Sequence, residues 1–393
     1  MNFELSKEHQ LLRATIRDFA RAELAPIADE VDRSGRFPTE AFRKLGALGY
    51  LGAAIPEEYG GANLDVLGVV LMVEELARVC PAFAMDVMVH AGAIAYGGIF
   101  RQGTDAQRRK YLPSMCRGEL IGAILQTEPN AGSDVSAMRT RAVEAGDVFR
   151  VTGTKTFITN FGAPLPAVGC LLAVTEPGRG SKGMTDFIVE KSMPGVSIGA
   201  IWDKCGMRAS QTTEVVFDDA PVPRENVLGE PGRGMRAALR IIDYDRLMCI
   251  PLAVGLAQGA FDLALRYAQE RQAFGQPIAS LQAIQMKLAD MATHIAMARL
   301  GAYWAAWTEM QGEPFTNQVA MAKLFASRIA TEATMAAMQV HGGYGFMREY
   351  QVERFFRDVK AIELGGGSNE ILQLVIARGL LRAGPATGSE RIA

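Results

Sequence analysis

One carboxylate in this chain lies where a carboxylate is energetically unfavourable. Asp245 belongs to a stretch with helical periodicity, and at helical spacing it shares a face with Ala238, Ile241, Ile242, Met248, Cys249 and Leu252. A charge on an apolar face is costly unless it is paired or functional. Burial would raise its pKa from about 3.9 toward neutrality, as a general base at pH 7 requires. We predict that Asp245 abstracts a proton; alternatively, it pairs with Arg246 or caps a kink near Pro251.

Two polar segments end strand-like runs near the middle of the chain. The stretch 121–134 closes in QTEPNAGSD, which is small, turn-forming and rich in backbone donors. The stretch 149–160 closes in TKTFITN, so that Thr156, Thr159 and Asn160 stand at the end of a strand. Two strand ends with hydroxyl and N–H groups suit a flat ligand edged with heteroatoms. For either segment alone, an ordinary strand with a polar turn is an equally good interpretation.

Together these segments resemble the flavin-contacting segments of the acyl-CoA dehydrogenase family, TEPxAGSD and a KxWITN-like element, with Phe157 in place of the tryptophan. The resemblance extends through nearly the whole chain. Residues 204–214 are similar to the family's KxGxRxSxTxE strand, residues 271–275 to its RxxFG motif, and residues 339–345 read QVHGGYG. The resemblance implies an FAD enzyme of fatty acid metabolism, which removes the α-proton of an acyl-CoA thioester and passes the β-hydride to flavin N5.

The resemblance also implies ligand contacts. Those to the cofactor are Gln126, Thr127, Ser133, Phe157, Thr159, Arg271, Phe274, Gln282, Gln339, Gly342 and Gly343. In the family, the residues from Arg271 onward reach the flavin of a neighbouring subunit, which implies a homo-oligomer, a dimer or a tetramer. The CoA contacts are Ser133, Asp243 and Arg246, although a turn serine and an i,i+3 ion pair explain these equally well. The electron acceptor would be an electron-transferring flavoprotein.

The position of the base departs from the commonest family pattern. Many members carry a glutamate in the segment YEGTSEI, and the matching position here is Gly366. A second group, resembling isovaleryl- and long-chain acyl-CoA dehydrogenases, carries its base in an E-R pair on the first helix of the C-terminal bundle. The residues here that match this pair are Asp245 and Arg246. Aspartate is shorter than glutamate by about 1.5 Å, and such a displacement can lower a rate by about 10²-fold. Glu363 is therefore the reserve candidate.

Composition excludes several classes of function. The net charge of −2 over 393 residues lacks the basic footprint of a nucleic-acid-binding protein. Five scattered cysteines without a C-x-x-C pair favour a reduced, cytoplasmic compartment, and four histidines without metal-ligand spacing predict no metal site. Charged residues interrupt the apolar runs, so no membrane span or signal peptide is expected.

The periodicity of apolar residues divides the chain into three parts and predicts an α+β multidomain fold. Residues 1–120 form an α-helical N-terminal domain, residues 121–231 a small β-barrel or sandwich, and residues 232–393 a C-terminal four-helix bundle with helices over 233–270, 279–311, 315–341 and 368–382. The sequence 178–183 matches G-x-G-x-x-G, but a strand follows it instead of a helix. We therefore interpret it as a hairpin loop without a role in nicotinamide binding.

Two other functions stay open. The same fold serves flavin oxidases and monooxygenases, which use oxygen as the electron acceptor. A catalytically silent FAD- or CoA-binding protein would also explain Gly366 and the short aspartate.

Overall fold

A computed structural model describes residues 4–383, so the outermost residues of the predicted first and third domains lie outside the described range. The N-terminal part is helical, as predicted. Its α-helices are α1 (Lys7–Phe19), α2 (Ala28–Ser34), α3 (Thr39–Ala47), α4 (Val66–Ala77), α5 (Pro81–Val87) and α6 (Asp105–Cys116). Helix α1 continues into a π-helical turn, Ala20–Leu24, and α5 into a longer π-helix, Met88–Phe100. Local signals set the helix starts: Asp65 caps α4, and Thr104 with Gln107 forms a capping box at α6.

The central part is an eight-stranded sheet. Its strands are β1 (Ile121–Leu125), β2 (Arg141–Ala145), β3 (Val148–Thr159), β4 (Ala167–Val174), β5 (Met184–Glu190), β6 (Val196–Ile201), β7 (Thr212–Pro223) and β8 (Val227–Leu228). Their order is β6-β7-β3-β2-β4-β5-β8, and β1 pairs in parallel with β4. A single residue pair joins β2 to β4, so the sheet consists of two halves. Phe149 of β3 and Phe187 of β5 meet between them with ring centroids 5.0 Å apart, as in the predicted sandwich.

The glycine-rich sequence 178–183 connects β4 and β5, which pair antiparallel. Its second half is a short 3₁₀ turn, Gly180–Gly183, and β5 begins at the next residue. The prediction of a hairpin loop is confirmed.

As far as residue 383, the C-terminal part contains five α-helices: α7 (Gly234–Glu270), α8 (Gln282–Met310), α9 (Thr316–His341), α10 (Val352–Leu364) and α11 (Asn369–Ala383). Two-residue strands, β9 (Gln272–Ala273) and β10 (Gln276–Pro277), form a small hairpin after α7. The sequence analysis counts α11 as the fourth helix of the bundle and omits α10. In the structure, α10 packs against α7 and α9, and α11 lies on α9. The apolar spacing of Val352, Phe355, Val359 and Ile362 is the signal that was overlooked.

Two helical stretches, Pro81–Phe100 and Gly234–Glu270, are long and apolar enough to cross a membrane by length and composition. Charged residues interrupt the apolar run in both, as predicted: Asp86 in the first stretch, and Asp245, Arg246 and Asp262 in the second. In addition, 89% and 78% of the residues in their most apolar windows are buried inside the fold. Such burial is typical of the central helices of a large core.

Helix α7 approaches α4 without intervening side chains. A Cβ on Gly255 would lie 2.1 Å from the carbonyl oxygen of Glu74, and one on Gly259 would lie 2.3 Å from that of Arg78. Both contacts are with backbone, which cannot rotate away. Glycine at these two positions therefore sets the separation of α4 and α7.

We expect Gly255→Ala to lower the free energy of unfolding by about 1–3 kcal/mol, because the added methyl group overpacks the α4–α7 contact. Gly301→Ala on α8 is the matched control: its Cβ would lie 3.5 Å from Ala322 Cβ, an ordinary contact, and alanine favours helix by about 1 kcal/mol. Thermal unfolding of both variants measures the difference. Equal stability of the two would contradict this account of the contact.

Candidate functional site

A buried ion pair connects the segment after β1, which contains Glu128, to the end of β3, which contains Lys155. Lys155 Nζ lies 2.9 Å from Glu128 Oε1 and donates to the carbonyl oxygen of Gln126 at 3.0 Å. Glu128 also accepts the backbone N–H groups of Arg139 and Thr140, at 2.6 and 2.9 Å. Burial lowers the pKa of Lys155 to about 8, while the charge of Glu128 opposes that change. The sequence analysis did not identify this pair, although both residues lie within its two motifs.

Phe157 forms an exposed aromatic surface beside that pair. Its φ is +57°, and it lies where the pairing of β3 with β7 shifts register between Lys155 and Ile158. The ring is 62% exposed and its centroid is 5.6 Å from that of Trp202, a residue the sequence analysis missed. A non-glycine residue in this conformation at a bulge is typical of a functional position.

The polar groups around Phe157 fit the edge of a flat ligand. Gln126, Thr127 and Thr159 are half-buried, and Gln126 Oε1 is buried without a hydrogen-bond partner in the described part of the chain. Asn160 has a φ of +74° and donates to the carbonyl oxygens of Asp86 and Gly122, which anchors the end of β3. An unpartnered oxygen beside an exposed aromatic ring is consistent with an isoalloxazine ring system at this position.

Asp245 lies on the inner face of α7, as predicted. The residue is 5% exposed, and burial raises the pKa of its carboxyl group to about 6. Within residues 4–383, neither carboxylate oxygen has a hydrogen bond. A Cβ on Gly366 would lie 3.0 Å from Asp245 Oδ2 and 3.3 Å from Cys249 Sγ. The two alternative positions for a base therefore face the same small space.

Two cations hold the turn at Gly366 in place. Arg246 Nε donates to the carbonyl oxygen of Gly366 at 2.8 Å, and Lys323 Nζ donates to that of Gly367 at 3.0 Å. Arg246 also pairs with Asp243 at 3.2 Å. Arg246 therefore contacts both Asp243 and the turn, while Asp243 also accepts from Thr316 Oγ1 at 2.6 Å.

Glu363, the reserve candidate, has both carboxylate oxygens occupied. Oε1 accepts from Thr331 Oγ1 at 2.9 Å, and Oε2 lies 2.5 Å from Lys360 Nζ. Although partial burial alone would raise the pKa of Glu363, these partners lower it below its ordinary value. Such a carboxylate is a weaker base than one that is buried and unpaired.

The loop after β1 also contacts α7. Ala131 and Met138 share an apolar cluster with Ala238, which precedes Asp245 by two helical turns, or roughly 10 Å. Ser133, in the same loop, is exposed. The segment carrying Gln126, Thr127 and Ser133 thus lies against the half of α7 that carries Asp245.

The other predicted cofactor contacts form a separate group at the far end of α7. Arg271, Gly342, Gly343 and Tyr344 line a cavity of about 440 Å³, and the Arg271 guanidinium lies 5.6 Å from the centre of the Tyr344 ring. Gln282 and Gln339 are exposed, and Phe274 is 89% exposed. Arg271 is 26 residues beyond Asp245 on one helix, roughly 39 Å along its axis. Within one chain, the two groups are not brought together.

A groove rich in arginine and lysine lies at the start of α7. It has a volume of about 810 Å³, and its basic lining residues are Arg179, Lys182, Arg233, Arg236 and Arg240. Asp243 lines the same groove. The sequence analysis interpreted residues 178–183 as a hairpin loop only and missed these cations. The basic residues of GRGSKG and of GRGMRAALR were the available signal.

Comparison with known proteins agrees with this geometry. The N-terminal, middle and C-terminal domains of acyl-CoA dehydrogenases match residues 6–119, 123–220 and 232–381. A probable acyl-CoA dehydrogenase of Bacillus subtilis is 44% identical over 97% of this chain and 100% of its own length. Two solved structures superpose on this chain with a TM-score of 0.95 and 39% identity, over 97% of this chain and 100% of their own. One is butyryl-CoA dehydrogenase from Megasphaera elsdenii, and the other is described as the electron transferring flavoprotein of Acidaminococcus fermentans. The chain belongs to the acyl-CoA dehydrogenase family.

Proposed function

We propose that this protein catalyses the α,β-dehydrogenation of an acyl-CoA thioester and that Asp245 is the base. The observation that carries the proposal is the Asp245 carboxylate, which is buried, lies against the turn of Gly366 and has no hydrogen bond within residues 4–383. With a pKa of about 6, the group is about nine-tenths ionised at pH 7. It therefore combines an available lone pair with a pKa close to the working pH.

Asp245 forms an O–H bond to the α-proton as the α-carbon–hydrogen bond breaks. The electron pair of that bond becomes the new α,β double bond as the β-hydride leaves. When bound, FAD supplies the acceptor for this hydride. Because Gly366 has no side chain, the Asp245 carboxylate can lie close to the turn, where a Cβ at position 366 would be only 3.0 Å from Oδ2.

Gln126, Thr127, Phe157 and Thr159 would hold the isoalloxazine ring of the flavin. The second group, at the end of α7, would contact the ADP portion of a flavin bound by a neighbouring subunit, because it is too far from Asp245 to serve the same chain. Its members are Arg271, Phe274, Gln282, Gln339, Gly342 and Gly343. A surface of exposed apolar residues on α8 and α9 supports a homo-oligomer, a dimer or a homotetramer: Met286, Met297, Leu300, Trp307, Met310, Phe325 and Met335.

The basic groove at the start of α7 suits the phosphates of CoA. The predicted contacts Asp243 and Arg246 are bonded to each other, so they would act at the inner end of the groove, and Ser133 would lie near the thioester arm. We further propose a cytoplasmic enzyme of fatty acid metabolism that passes its electrons to an electron-transferring flavoprotein. Rapid reoxidation of the reduced enzyme by air would contradict that acceptor and favour an oxidase.

Asp245→Asn should lower the rate of flavin reduction by about 10²–10⁴-fold with FAD still bound, because it removes the base and keeps the shape of the side chain. Anaerobic mixing with a panel of acyl-CoAs, followed at the visible flavin band, measures the rate. Glu363→Gln is the control and should retain reduction. Loss of reduction in Glu363→Gln, with Asp245→Asn active, would transfer the role to Glu363.

The two carboxylates should also differ in how stability depends on pH. The pKa of Asp245 is about 6 in the folded protein, above its ordinary value of 3.8. Ionisation of Asp245 therefore lowers the free energy of unfolding by roughly 3 kcal/mol once the pH is well above 6, and this loss is absent below pH 3.8. Asp245→Asn should therefore be more stable than the parent at pH 8, and the difference in stability should be smaller at pH 5.

Glu363→Gln should show the opposite sign, because the pKa of Glu363 is lowered and its ionised form stabilises the fold above its ordinary pKa. Melting temperatures of the three proteins from pH 5 to pH 8 make the comparison. A pH-independent difference for Asp245→Asn would contradict burial of the charged group.

Replacing both Arg236 and Arg240 by serine should raise KM for an acyl-CoA by roughly tenfold or more, because charge-assisted hydrogen bonds contribute about 1.5–3 kcal/mol each. The same acyl group on pantetheine, which lacks the nucleotide, should show little change. Replacing both Arg43 and Lys44 by serine, which removes two exposed cations from α3, is the control for net charge. An equal effect on both thioesters would place the nucleotide elsewhere.

A further inference from the structure

Lys323 is a buried cation without an ion pair. Its side chain lies on α9 and is 0% exposed, and no carboxylate oxygen lies within 4 Å of Nζ among residues 4–383. Nζ donates to the carbonyl oxygen of Gly367 at 3.0 Å and lies 3.5 Å from Asn369 Oδ1. A buried, unpaired charge is costly unless an opposite charge stands nearby.

The charges around Lys323 leave one candidate for that opposite charge. On α7, Arg246 is paired with Asp243. On α10, Glu363 is paired with Lys360. Burial holds the pKa of the Cys249 thiol far above neutrality, so this group is uncharged. The remaining ionised group is the Asp245 carboxylate, which also has no ion pair within residues 4–383. It lies against the turn to which Arg246 and Lys323 donate, and both cations act on its charge.

We propose that Lys323 is a positioning residue for the base: it keeps Asp245 ionised and holds the Gly365–Gly367 turn against it. This inference rests on the proposed role of Asp245. The hydrogen bond to Gly367 fixes the turn from one side, as Arg246 does from the other, and the charge offsets the desolvation of the carboxylate.

The same arrangement affects the proton after its transfer. Once Asp245 has accepted the α-proton it is neutral, and Lys323 again lacks an opposite charge in a buried site. The positive charge therefore favours release of the proton from Asp245, which returns the site to its reactive form.

Two substitutions separate the charge from the hydrogen bond. Lys323→Gln removes the charge and keeps a donor for the Gly367 carbonyl, while Lys323→Met removes both. In each, the pH midpoint of flavin reduction by an acyl-CoA should move to higher pH by about 1 or more, so that the loss of rate is larger at pH 6 than at pH 9. Lys44→Gln, which removes an exposed lysine from α3, is the matched control and should leave the midpoint unchanged.

A second measurement does not need turnover. The infrared band of the protonated carboxyl group that disappears in Asp245→Asn belongs to Asp245, and its titration midpoint should be higher in Lys323→Gln than in the parent. If activity is lower at every pH and neither midpoint moves, Lys323 has only a structural role and the inference is overturned. A pH dependence of reduction that persists in Asp245→Asn would instead overturn the assignment of the base.

Discussion

The close contact between α7 and α4 fixes the helix that carries the proposed base. At Gly255 and Gly259 the backbones meet without side chains between them, so α7 can neither shift nor rotate there without a clash. Asp245 lies ten residues before this contact, on the same continuous helix. The half of α7 before Asp245 packs against the loop after β1, and α7 also packs against α9 and α10. The carboxylate is thus placed by packing of the backbone and not by hydrogen bonds of its own.

This mode of placement suits a base. A carboxylate held by hydrogen bonds loses basicity, because each donor stabilises the charged form. Glu363 illustrates this effect, since Thr331 and Lys360 occupy both its oxygens. Asp245 is instead held through its main chain, and Arg246 and Lys323 balance its charge without a hydrogen bond to it. The glycine turn opposite spares Oδ2 the close contact that a Cβ at position 366 would make.

Sequence reasoning identified the three-part fold, the two β-strand segments around Phe157 and the inward direction of Asp245. These succeed because they depend on local patterns: a change of period, turn-forming residues and a helical face. The proximity of Gly366 to Asp245 depends on the packing of elements about 120 residues apart. Trp202, the Lys155–Glu128 pair and the basic groove were missed for the same reason, since each joins residues from separate strands or loops. Helix α10 is a different case, because its periodicity was present but was overlooked between two glycine-rich turns.

The separation of the two ligand-contacting groups along α7 has a genetic consequence. If each flavin lies between the Phe157 region of one subunit and the Arg271 region of another, a defect in either region affects a site that two chains share. Co-expression of a chain impaired at Phe157 with one impaired at Arg271 would then produce mixed assemblies in which some sites combine both defects and others combine none. Two individually inactive alleles could thereby restore part of the activity to each other.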